Sequence, residues 1–122
     1  MADFDEEKQN KQLDEIHKEE EEQLVEVLAR SKYGLPYANL HRLGIDNEAL
    51  RSISEADARA LKIAPFKLSG KNIFIAVRSP SPELMERVKQ DMERQSLVPT
   101  FYMTSMASLE KVWERYLELS MA

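Results

Sequence analysis

Apolar residues recur along this chain at two different intervals, and the change between them marks its organisation. Leu13, Ile16, Leu24, Val27 and Leu28 recur at helical spacing, which predicts a helix from Leu13 to Arg30. Glu19–Glu22 interrupts the apolar stripe for about one turn, so the half nearer Arg30 should be the better packed half. Before that helix, residues 1–11 combine high charge with little hydrophobicity and no period, the pattern of a disordered start. Gly34 stands where a helix end needs a residue tolerant of positive φ. Pro36 cannot continue a helix, and Tyr37–Leu40 should be a short extended piece.

A compact mixed pattern follows. Gly44 marks a turn, and Asp46 can cap a short helix by accepting a bond from one of its first amides; Leu50 and Ile53 would face the core. Ser54-Glu-Ala-Asp57 resembles a capping box and opens a second short helix to about Leu61. Lys62–Leu68 and Asn72–Arg78 flank Ser69-Gly70-Lys71 and should pair as a hairpin. Ile73, Ile75 and Val77 share one strand face, and Phe74 and Ala76 the other. With both faces apolar this strand should be central and covered by helices on at least one side, whereas Pro65, which cannot donate a ladder bond, places its own strand nearer an edge. Ser81, Pro82 and Glu83 start a helix with the stripe Leu84, Met85, Val88 and Met92. Leu97–Thr104 reads as a third strand, interrupted early by Pro99, with Phe101 and Met103 on one face and Tyr102 on the other. Met106–Leu119 closes the chain as a helix with the stripe Leu109, Val112, Trp113, Tyr116 and Leu117.

The expected fold class is α+β: a small mixed three- to four-stranded sheet covered by helices, preceded by a charged amphipathic N-terminal helix. The helix between the second and third strands permits a parallel β-α-β crossover. Residues 1–30 form an acidic disordered start and amphipathic helix, and residues 31–122 a compact α+β domain. The 122 residues suffice for one modest core.

Charge sharpens this division. The net charge is −5, yet residues 1–26 carry eleven Asp/Glu against three Lys, a balance of −8, and residues 27–122 a balance of +3. An acidic arm repels nucleic acid and anionic lipid; it could dock on a basic protein surface or simply keep the helix solvated. No apolar run approaches the ~18 residues of a membrane span, so direct membrane insertion is not expected. The start Met-Ala-Asp-Phe-Asp-Glu-Glu lacks the regions of a signal peptide, and there is no cysteine; both fit a cytoplasmic protein.

The chemistry-bearing residues are sparse. Ser69-Gly70-Lys71 would need an earlier glycine where Pro65 stands and a hydroxyl where Asn72 stands to be a phosphate loop, so it reads as a hairpin turn. His17 has Asp14 and Glu21 near it at helical spacing but no rigid three- or four-ligand frame, and it reads as a surface imidazole among carboxylates. His41 falls in a loop, and no serine has a credible base and orienting acid. Glutamate pairs read as a solvated face. Arg78 reads as a strand-end surface charge. No catalytic residue, cofactor site or metal site is assigned, and the expectation is a non-enzyme.

Tyr33-Gly-Leu-Pro-Tyr-Ala-Asn-Leu40, followed by Gly44-Ile-Asp-Asn-Glu-Ala-Leu50, resembles the amino-terminal domain of the type II secretion and type IV pilus assembly ATPases. In that family a helix leads into a Gly-Leu/Ile-Pro-Tyr-x-x-Leu segment, then an Ile-x-x-Glu-Ala-Leu helix, a hairpin and two further helices. The resemblance covers Glu19 to Leu119 and implies a protein-interaction domain without the ATPase engine. Its partner would be a protein of the assembly machine, cytoplasmic or on the membrane platform, coupled to a hexameric motor; peripheral location at the inner membrane follows. Leu13, Ile16, Leu24, Val27 and Leu28 are the expected contact residues. Some relatives instead bind cyclic di-GMP through Arg-Leu-Gly segments with spaced leucines ahead of the Pro-Tyr piece. Here Gln9–Glu22 has none, and the one Arg42-Leu43-Gly44 comes later without the leucine spacing. Cyclic-dinucleotide sensing is therefore the alternative reading.

Overall fold

Helix α1, residues 19–28, runs without a break into a wide π-type turn over Ala29–Tyr33, in a computed structural model that describes residues 19–121. Gly34 ends it in the left-handed region at φ 62°, as its place after the last helical turn requires. Leu13 and Ile16, and the predicted helix start, lie outside the described residues. The chain continues through α2 (Asn47–Leu50), α3 (Glu55–Leu61), β1 (Ile63–Ser69), β2 (Asn72–Val77), α4 (Pro82–Arg94), β3 (Val98–Met103) and α5 (Met106–Met121).

The sheet has the order β1-β2-β3, with β2 antiparallel to β1 and parallel to β3. The fold is therefore α+β, and α4 is the crossover between the parallel pair. The strand with two apolar faces is central: Ile73, Ile75, Ala76 and Val77 are fully buried. Pro65 lies on an edge strand, where the register slips between Pro65 and Lys67. Pro36–Ala38 adds a partial fourth strand: Met103 N–H donates to Pro36 O at 2.8 Å, and Ala38 N–H to Met103 O at 2.9 Å.

Local chemistry follows the sequence with three exceptions. Ser54 and Ser81 cap α3 and α4, their hydroxyls accepting from Asp57 N–H and Leu84 N–H at 3.2 Å. Asp46 occupies the N-cap position of α2, but its carboxylate turns away and accepts from Leu68 N–H of β1 at 3.1 Å. Lys62 does not open β1; at φ 55° it is the left-handed cap of α3, because the helix turns directly into the strand with no loop between them. Leu117 is 60% exposed although it shares the spacing of the α5 stripe.

One core joins the sheet to α2–α5, built on Leu50, Ile63, Ile73, Ile75, Val88, Met92, Leu109, Val112 and Trp113. Two polar atoms tie α5 across it: Trp113 Nε1–H donates to Ile63 O at 3.0 Å, and Tyr116 O–H to Ile53 O at 2.9 Å. A second, smaller cluster joins Val25 and Ala29 of α1 to Met103 at the end of β3.

Candidate interaction surface

Helix α1 is held by one side only. Val25 and Ala29 are fully buried against Met103, with Leu28, Tyr33, Leu35 and Tyr37 packed around them. The predicted stripe is therefore split. Leu28 belongs partly to the buried side, whereas Leu24 and Val27 point outward at 53% and 60% exposure. Val25 and Ala29, absent from the predicted stripe, carry the packing. The helical period alone leaves this rotation open, because a valine and an alanine one position along describe an equally regular face.

Carboxylates orient the helix. Glu21 Oε1 accepts from Met106 N–H at 2.7 Å, at the first turn of α5. Glu22 Oε1 accepts from Ser105 O–H at 2.7 Å and from Tyr37 O–H at 2.8 Å. Ser105 itself accepts from Ser108 N–H at 3.1 Å, so amides at the start of α5 are satisfied by its own serine and by Glu21, while Glu22 holds the serine hydroxyl. Arg78 Nε approaches Glu21 Oε1 at 3.6 Å, beyond hydrogen-bond range. Arg78 is thus half-buried against α1, not a free strand-end charge. Burial, and then the Glu22 bond, push the Tyr37 phenol above its ordinary range. Two of the glutamates that interrupt the apolar stripe therefore help fasten the helix, through partners 83 and 85 positions away that no local pattern marks.

The remaining candidates do not converge. Of Ser69-Gly70-Lys71, Ser69 ends β1 opposite Asn72, and Gly70-Lys71 is the two-residue β1–β2 connection, with Gly70 at φ 61°. His41 is exposed in a turn, and no group of three His, Cys, Asp or Glu that could hold a metal occurs among the described residues. Arg42 is exposed; Leu43-Gly44 after it lines an open cleft of about 360 Å³ with Ile45, Asp46, Phe66 and Lys67. A second cleft of about 310 Å³, between α3 and α4, mixes Ile53, Leu61 and Met92 with Asp57, Asp91 and Gln95. Among the described residues no helix is long and apolar enough to cross a membrane.

Residues 33–122 match the family model of the MshEN domain. No curated protein matches the chain. Among solved structures, one of MshE with cdg superposes with a TM-score of 0.67 at 25% identity, over 77% of this chain and 66% of that one. The N-terminal domain of XpsE superposes with a TM-score of 0.60 at 14% identity, over 75% of this chain and 62% of that one. The chain thus spans slightly less than two thirds of the length of each of these two.

Proposed function

The chain belongs to the MshEN domain family, the amino-terminal domain of type II secretion and type IV pilus assembly ATPases, and from that premise we propose that it is a non-catalytic docking module. It binds a protein of the secretion or pilus assembly machine, in the cytoplasm or on the membrane platform, and links that protein to a hexameric motor. Residues 1–30 serve as the docking arm and residues 31–122 as the body that carries it.

The observation behind this reading is the orientation of α1. Its inner side is used up by Val25, Ala29, Glu21 and Glu22, while Leu24 and Val27 stand outward. A partner can cover these two without disturbing the fold. Leu28, Leu13 and Ile16 extend the same contact. The test is a pull-down against the cytoplasmic proteins of the assembly with the double variant Leu24→Ser/Val27→Ser. Capture should be lost with the unfolding midpoint unchanged, since exposed positions move stability by about 0.5 kcal/mol or less. Undiminished capture removes α1 from the account.

A second reading, cyclic-dinucleotide sensing, has its own support. A structure of the relative MshE is with cdg, and Arg42 stands at the start of the loop lining the cleft beside Phe66. Calorimetry with cyclic di-GMP decides it: heat that weakens on Arg42→Ala favours sensing, and no heat at millimolar ligand ends it.

A further inference from the structure

The two edges of the sheet are finished differently. On β1 three backbone groups that face away from β2 are occupied: Ile63 O by Trp113, Phe66 O by Asp46 N–H at 2.9 Å, and Leu68 N–H by the Asp46 carboxylate. Pro65 has no N–H to offer. On β3 the amides of Val98 and Thr104 turn inward, to Lys71 O just before β2 and to Val77 O at its end. In the parallel register the alternate residues Pro99, Phe101 and Met103 therefore point their backbone groups outward. Met103 is paired with Pro36–Ala38. The chain before Pro36 then leaves the edge, because Leu35 N–H returns to Ala29 O at 2.8 Å. Pro99 O, Phe101 N–H and Phe101 O are left without a hydrogen-bond partner among the described residues.

This edge is only partly defended: Pro99 removes one amide and Pro36–Ala38 covers one end, but no charge guards the rest. Edge strands of natural sheets are blunted by charge or covered, yet Leu97–Met106 contains no charged residue, Val98 is 56% exposed and Thr100 is exposed.

We propose that the outer edge of β3 from Pro99 to Phe101 is a strand-addition site for an extended segment of a partner protein with an apolar centre and acidic flanks. The edge presents acceptor, donor and acceptor, which an extended chain meets with donor, acceptor and donor from its own backbone. The flanks follow from charge. Lys71, whose carbonyl takes Val98 N–H, stands exposed at one end. At the other, exposed Lys32 adjoins Tyr33, which packs on the Met103 cluster. A second copy of this chain is a poor occupant. Two-fold pairing about Phe101 would set Pro99 of one copy opposite Met103 of the other, and Met103 is already bonded to Pro36 and Ala38. The site is separate from the outer face of α1 and does not depend on it.

The test is amide hydrogen exchange on the isotope-labelled full chain, with and without a synthetic peptide of alternating valine and threonine flanked by aspartates. Free, the Phe101 amide should exchange quickly while Thr100 and Tyr102, bonded to β2, are protected. The peptide should slow Phe101 by about tenfold or more. A Phe101 amide already protected in the free chain, or unchanged at millimolar peptide, overturns the proposal. Thr100→Glu, at an exposed position, should weaken binding by repelling the acidic flanks; binding of equal strength places the peptide elsewhere and also overturns it. The Leu24→Ser/Val27→Ser variant should bind the peptide normally, which separates this site from docking through α1.

Discussion

At the scale of single residues, Glu22 decides more than its sequence context suggests. One of its oxygens takes two hydroxyl protons, from Ser105 and Tyr37. Hydrogen bonds to an ionised acceptor contribute about 1.5–3 kcal/mol each, and Glu22 is half-buried, so the lower end applies. Tyr37→Phe should therefore cost about 1–2 kcal/mol in urea unfolding followed by the emission of Trp113, the one tryptophan. The same residue sets an alkaline limit. Burial first, and then the Glu22 bond, raise the Tyr37 phenol; burial first, and then the Glu55 charge, raise Tyr116. A group whose pKa is higher in the folded state contributes stability that is complete below the unfolded value of about 10 and is lost as pH rises through the folded one. Stability should therefore decline above pH ~10, and Tyr37→Phe should shallow that decline. An identical alkaline profile for the variant would refute the assignment. In sequence, Glu22 is one of four consecutive glutamates, and nothing along the chain distinguishes it from a solvated charge. Its partners lie 15 and 83 positions away.

At the scale of elements, local rules hold wherever the partner is local. Gly34, Ser54 and Ser81 close or open their helices as their positions require, since each acts on backbone within a few residues. Asp46 departs from the pattern because a tertiary partner competes. Its carboxylate leaves the amides of the four-residue α2 for Leu68 N–H on β1, an edge amide that has no strand beside it. Asp46→Ala should cost about 1–2 kcal/mol and speed exchange at Leu68, not at the first amides of α2. Asp46→Asn, which keeps an acceptor oxygen, should preserve protection there. Faster exchange confined to α2 would restore the capping role. The exposed Leu117 has a similar lesson: α5 needs only part of its apolar period to cover the core.

At the scale of the whole molecule, Met103 is the hinge of the architecture. It ends β3, pairs with the Pro36–Ala38 segment and packs against Val25 and Ala29. Met103→Ala should cost about 2–5 kcal/mol. Its specific consequence should be faster amide exchange in α1, with α4, held by Val88 and Met92 in the separate main cluster, protected as before. Uniform loss of protection throughout would mean that the two clusters unfold as one. The candidate docking residues belong to this scale as well. Leu24 and Val27 are outward because Met103 and two glutamates fix how α1 is rotated, which no property of α1 by itself determines.

The order of helices and strands, the hairpin, the central place of β2, the edge place of β1 and the caps of α3 and α4 were all written in the sequence, because each rests on periodicity or on residues a few positions apart. Only the folded chain decided which side of α1 is free, why Asp46 abandons its helix, and which stretch of sheet edge stays open. These depend on backbone and side-chain groups far apart in sequence competing for the same hydrogen bonds and the same buried area. No local pattern records the outcome of that competition.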